Sequence, residues 1–172
     1  MSFLSFLSNL FLSPEKDHSL SEYLNMVDFY YKSNSSEVFA NFSLDGYYKI
    51  AEHLIAGAGN SINISCIEYS QMFEQPLYNL LMYNSYRSVT TNIISKPNNE
   101  KFKYLAEKFP CVKYIERDNI PYNCIISDYR MYWLEDPEWN INRKTLNDSF
   151  KAEVCFNGRI KACSLLKSLN ID

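Results

Sequence analysis

Between Ser61 and Glu116 the chain alternates strand, helix, strand, helix, strand, and this rhythm constrains the fold more than any other feature. SINISCI reads as a buried strand and SVTTNIIS as a second, with CVKYIE closing the series. Between them lie two helical patterns. Leu77, Leu80, Leu81 and Tyr83 recur at helical spacing, with Pro76 expected in the first turn; NNEKFKYLAEKF supplies the other. Short crossovers of this kind predict neighbouring strands that run parallel and are covered on both faces. The expected class is therefore α/β, with a mostly parallel mixed sheet flanked by helices on both faces.

The rhythm then breaks. PYNCIISD and RMYWLE leave no room for a helix between them, so residues 121–135 predict a β-hairpin at one side of the sheet. A polar stretch from Pro137 to Ser149 leads to a last strand, FKAEVCFN. Gly158 precedes a closing helix whose apolar face is expected at Ile160, Cys163, Leu166 and Leu169. Upstream, Ser19 to Glu22 has capping-box spacing and opens a helix through Leu20, Tyr23, Leu24, Val27 and Tyr31. VFANF reads as a strand, and a helix over Tyr47, Ile50, Ala51, Leu54 and Ile55 is expected to stop at Gly57 and Gly59.

Residues 1–13 stand apart as an N-terminal amphipathic helix. Phe3, Leu4, Phe6, Leu7, Leu10 and Phe11 form one apolar stripe, interrupted by Ser and Asn. The stripe is too short to span a bilayer, and its flank lacks the basic residues of a signal peptide. It is read as an interaction helix that packs on its own domain or a second subunit, with a membrane interface as the third reading. Residues 14–172 form the single expected α/β domain.

Composition narrows the function. A net charge of −3 with scattered Lys and Arg gives no broad nucleic-acid footprint. The five cysteines have no paired spacing, so they are read as free thiols in a reducing, cytoplasmic compartment. Richness in Tyr, Asn, Ile and Lys suits an AT-rich genome, bacterial or viral. No phosphate-binding loop, HExxH or GxSxG occurs, and no cofactor is implied.

The element order from Val38 to Leu169, with the hairpin, resembles one half of a phospholipase D-like domain. Family strands carry His-x-Lys-x4-Asp, the hairpin return carries Gly-Ser-x-Asn, and a later strand carries Glu. In this register Pro121 takes the His position, Asn123 the Lys position and Asp128 the Asp position. Glu135 and Asp136 replace Gly-Ser, Glu138 falls at the Asn position, and Glu153 matches the later Glu. The resemblance implies that nucleophile and phosphate clamp are both missing, since Pro does not titrate and Asn carries no charge. It also implies a two-fold homodimer, because single halves of the family generally pair.

The leading expectation is a non-catalytic phospholipase D-like module that binds another protein, as a subunit or inhibitor, with no catalytic residue and no metal. The alternative is a metal-dependent phosphodiesterase or nuclease built on an acidic cluster of Asp128, Glu135, Asp136 and Glu138, with Glu153 near. Cys124 is read as a buried strand cysteine rather than a nucleophile. His18 and His53, the two histidines, are read as structural or exposed, and Arg143-Lys144 as solvated loop charges.

Overall fold

The computed structural model describes residues 19–66, 71–135 and 151–171, with residues 71–74 in backbone only. The expected N-terminal helix, His18, Asp136, Glu138 and the Arg143-Lys144 pair lie outside the described residues. One seven-stranded sheet organises everything else, in the order β1-β7-β6-β5-β2-β3-β4. The strands are β1 (Phe39–Asn41), β2 (Ser61–Cys66), β3 (Thr90–Ser95), β4 (Val112–Glu116), β5 (Cys124–Ser127), β6 (Met131–Glu135) and β7 (Ala152–Cys155). The helices are α1 (Leu20–Lys32), α2 (Leu44–Ala51), α3 (Gln71–Tyr86), α4 (Glu100–Lys108) and α5 (Arg159–Ser168).

The α/β mixed sheet expected from sequence is present. Five of the seven strands run in one direction, because β1, β6, β2, β3 and β4 all point the same way. Parallel pairing itself is confined to β2-β3 and β3-β4, where α3 and α4 make the crossovers. The β5-β6 hairpin inserts antiparallel strands between those three and β7, so the other neighbours pair antiparallel.

Alternation along each strand divides the core in two. Ile62, Ile64, Ile125, Met131, Trp133 and Val154 face a large cluster with Val27, Tyr47, Leu54, Leu81 and Phe102 from α1 to α4. Cys124, Ile126, Tyr132 and Cys155 face the other side, where Ala162, Leu165, Leu166 and Leu169 cover them. Two expectations shift here. The closing helix buries the stripe Ala162, Leu165, Leu166 and Leu169 rather than Ile160, which is 91% exposed because it occupies the first turn, before the helix reaches the sheet. Pro76 lies inside α3, not in its first turn, since the helix already begins at Gln71.

Helix ends follow side-chain chemistry. Ser19 and Ser43 accept hydrogen bonds from Glu22 and Gly46 N–H at the starts of α1 and α2, and Asn99 does so from Phe102 N–H at α4. Asn34, at φ 50°, turns the chain off α1: its N–H reaches Tyr31 O and that of Ser35 reaches Tyr30 O, which satisfies the last carbonyls. α2 widens into a π-helical turn, Glu52–Ala56, that ends at Gly57 as expected. A Cβ on Gly57 would strike the Tyr31 hydroxyl and the His53 carbonyl.

Candidate functional site

The positions that carry the phospholipase D-like register sit at two ends of the β5-β6 hairpin. At its open end Pro121 is exposed in the segment before β5, while Asn123 is buried. Asn123 Nδ2 donates to Glu135 Oε2 at 2.5 Å, and the Glu135 N–H donates to the Asn123 carbonyl at 3.0 Å. Glu135 is only 4% exposed. Next to this pair, on the same face of β6, the Trp133 indole donates to Asn41 Oδ1 at 3.3 Å, and Asn41 in turn donates to Ser43 O. An amide therefore meets a carboxylate where the register would put a lysine.

Glu153 is near in the sheet but faces the other way. It pairs in register with Leu134 and accepts from the Tyr132 hydroxyl at 2.5 Å, on the α5 side. Burial and the neighbouring carboxylate both hold the Tyr132 phenol protonated, far above its ordinary range.

Asp128 stands at the opposite, turn end of β5. It lies five positions from Asn123, about 17 Å along an extended strand. Its Oδ1 accepts the N–H groups of Asn60 at 2.8 Å and Ser61 at 3.0 Å, and its Oδ2 accepts that of Gly59 at 3.0 Å. Burial would raise its carboxyl, but these three donors, with Arg130 nearby, outweigh that and hold it below the usual range. Asp128 and Tyr129 both adopt left-handed backbone, at φ 51° and 58°, to reverse the chain.

The acidic residues considered as a metal cluster are thus divided. Asp128 and Glu135 occupy opposite ends of the hairpin, and Asp136 and Glu138 lie outside the described residues. Among the described residues no three His, Cys, Asp or Glu side chains group closely enough to hold a metal ion. Cys124 is fully buried beside Ser65, and burial pushes its thiol up to about 12, so no thiolate nucleophile is available there near neutral pH. All five cysteines are free thiols; Cys66, Cys124 and Cys155 are buried, and Cys111 and Cys163 are half-buried.

His53 has partners the sequence reading did not foresee. Its Nε2 lies 2.6 Å from Asp28 Oδ1, Lys49 Nζ lies 3.0 Å from the same oxygen, and its ring stacks on Tyr31 with centroids 4.1 Å apart. Burial holds the imidazole below its ordinary value despite Asp28. Asp28 and Lys49 come from different helices, so no local spacing announced the cluster. A second surface also went unseen. Tyr83, Tyr86 and Tyr104 are 55%, 67% and 48% exposed, and Lys108 Nζ lies 5.4–5.7 Å from the ring centres of Tyr86, Tyr104 and Phe109. Residues 83–113 hold six Lys and Arg against two Glu, so this stretch is basic in a chain that is acidic overall.

No protein-family model matches the chain, and no curated protein does. Solved structures match in fold. Nuc from Salmonella typhimurium, a phospholipase D family member, superposes with a TM-score of 0.60 at 17% identity, over 78% of this chain and 91% of that one. NucT from Helicobacter pylori gives 0.54 at 14% identity, over 78% and 94%. The archaeal chromatin protein TrmBL2 gives 0.58 at 12% identity, over 97% of this chain and 56% of its own. The fold is phospholipase D-like. Among the described residues no helix is long and apolar enough to cross a membrane.

Proposed function

We propose that this chain is a phospholipase D-like module that acts by binding a protein, without phosphodiester chemistry. The Asn123–Glu135 hydrogen bond carries this reading. In the family register a lysine belongs at position 123 and a histidine at 121; here a neutral amide is committed to an internal carboxylate, and proline occupies the other position. A buried carboxylate at this place repels the phosphate that a catalytic site must attract. Asp128 supports the same reading, because both of its oxygens serve the backbone of the turn before β2.

Binding to protein is supported by the exposed rings of Tyr83, Tyr86 and Tyr104, a residue type enriched at protein interfaces, with Arg87, of a type enriched there too, 5.6 Å from the Tyr83 ring centre. The module works as a subunit or inhibitor in a bacterial or phage system and as a two-fold homodimer. The test is affinity capture from a native lysate with wild type and with the Tyr86→Ala, Tyr104→Ala variant. A stoichiometric protein retained by wild type and lost by the variant is expected. Recovery of nucleic acid or lipid alone would sink the reading. Light scattering gives the dimer mass if the pairing is right, and a concentration-independent monomer mass if it is not.

A further inference from the structure

At the turn end of the hairpin, away from Asn123, a recess of about 370 Å³ opens between the end of α1 and β6. Tyr31, Lys32, Asn34, Arg130 and Met131 line it. Two cations from separate elements meet there with no acidic side chain in the wall. We propose that this recess binds a small phosphate monoester, its phosphate between Lys32 and Arg130 and its apolar body against Tyr31 and Met131.

Each wall is held in place beforehand. Arg130 Nη1 donates to Asn34 Oδ1 and to the Phe156 carbonyl, which fixes the guanidinium plane and leaves Nη2 and Nε as donors. With Oδ1 occupied, the Asn34 amide offers its N–H groups. Lys32 is exposed and makes no ion pair with any described residue. The Tyr31 ring is fixed by its stack on His53 and by an edge contact with Phe156 at 5.4 Å. A monoester dianion matches two cations better than a monoanion does, and charge-assisted bonds to a guanidinium are among the stronger ones available.

Two features bear on the charge balance. Asp128 lies close enough to Arg130 to feel its charge, but its oxygens already accept three backbone N–H groups. The end of α1 is the negative end of a helix dipole, yet its last carbonyls already accept from Ser33, Asn34 and Ser35 N–H. Asp128 thus offsets part of the Arg130 charge, and Lys32 leaves the recess net positive.

The experiment is a ¹H–¹⁵N NMR titration of the full chain with phenyl phosphate, inorganic phosphate and benzoate, at constant ionic strength. Saturable shifts at residues 31–34 and 130–131 are expected, with phenyl phosphate the tightest of the three. Lys32→Gln weakens it by about tenfold, the scale of one charge-assisted bond, and Arg130→Gln weakens it at least as much. Should Arg130→Gln fail to fold, Lys32→Gln decides alone, because its side chain is exposed and makes no ion pair with any described residue. Linear, non-saturating shifts, equal affinity in Lys32→Gln, tighter binding of benzoate, or shifts centred on Asn123 and Glu135 would each overturn the proposal.

Discussion

Asp128 and Ser61 bond to each other in both directions: the Asp128 N–H donates to the Ser61 carbonyl at 2.9 Å, and the Ser61 N–H donates to Asp128 Oδ1 at 3.0 Å. The pair joins the tip of the hairpin to the first residue of β2, across 67 positions of sequence. Asp128→Ala leaves three backbone donors without this acceptor, at a cost of about 1–3 kcal/mol. Asp128→Asn keeps one acceptor oxygen and costs less. Urea midpoints of the three proteins give the order. The folded carboxyl sits below its unfolded value of 3.8, so its contribution is present above that pH and is lost as pH falls through the folded value. The difference between wild type and Asp128→Asn should shrink in that acidic window. A flat difference would show that the clamp is not electrostatic.

His53 gives a second pH signature, in a different window. Burial holds the folded imidazole below 6.5, so the fold favours the neutral ring, which donates through Nε2 to Asp28. The unfolded chain takes up the proton first as pH falls below 6.5, and stability declines from there down to the folded value. His53→Gln should flatten thermal midpoints between pH 7.5 and 5.5. An unchanged slope would assign the dependence to other groups.

Gly57 tests how tightly that region is packed. A methyl group there meets the Tyr31 hydroxyl and the His53 carbonyl, and the carbonyl is backbone that cannot rotate away. Gly57→Ala should destabilise by about 1–3 kcal/mol, the usual range for overpacking. Its chemical shifts should move at Tyr31 and His53 ahead of residues elsewhere. A neutral substitution would mean that the π-helical turn yields easily.

Much of this architecture was legible in the residues. Ser19 caps α1, Ser61 to Glu116 alternate as read, and Gly57 ends the π-helical turn, because apolar periodicity, caps and glycines act over a few residues. What escaped was non-local. The insertion of β5 and β6 between β7 and β2 is a pairing choice that no local pattern states. Ile160 looked like core by its spacing, yet the packing direction of α5 selects Ala162 and Leu165. For the site, the sequence register located Asn123 and Asp128, but nothing in it could tell that one would meet Glu135 and the other the backbone of residues 59–61. The Asp28–His53–Lys49 cluster is assembled from two helices and left no spacing to read.

The last prediction restores the two missing positions. Pro121 is exposed and precedes β5, so Pro121→His replaces no core side chain. Asn123→Lys puts an ammonium beside Glu135, which converts the present hydrogen bond into a buried ion pair. The double variant should fold with a midpoint within about 2 kcal/mol of wild type, since the carboxylate keeps a donor. On the proposed binding-only reading, wild type should leave bis-(p-nitrophenyl) phosphate intact in EDTA. The variant should stay silent as well. Its new lysine is neutralised by Glu135, and Glu153, on the opposite face of β7, bonds Tyr132 instead of position 121. Metal-free hydrolysis by wild type that disappears on Asn123→Ala would refute the binding-only reading. Hydrolysis gained by the double variant would show that Glu135 does not block the site, and Glu135→Gly added to it is the next change to measure.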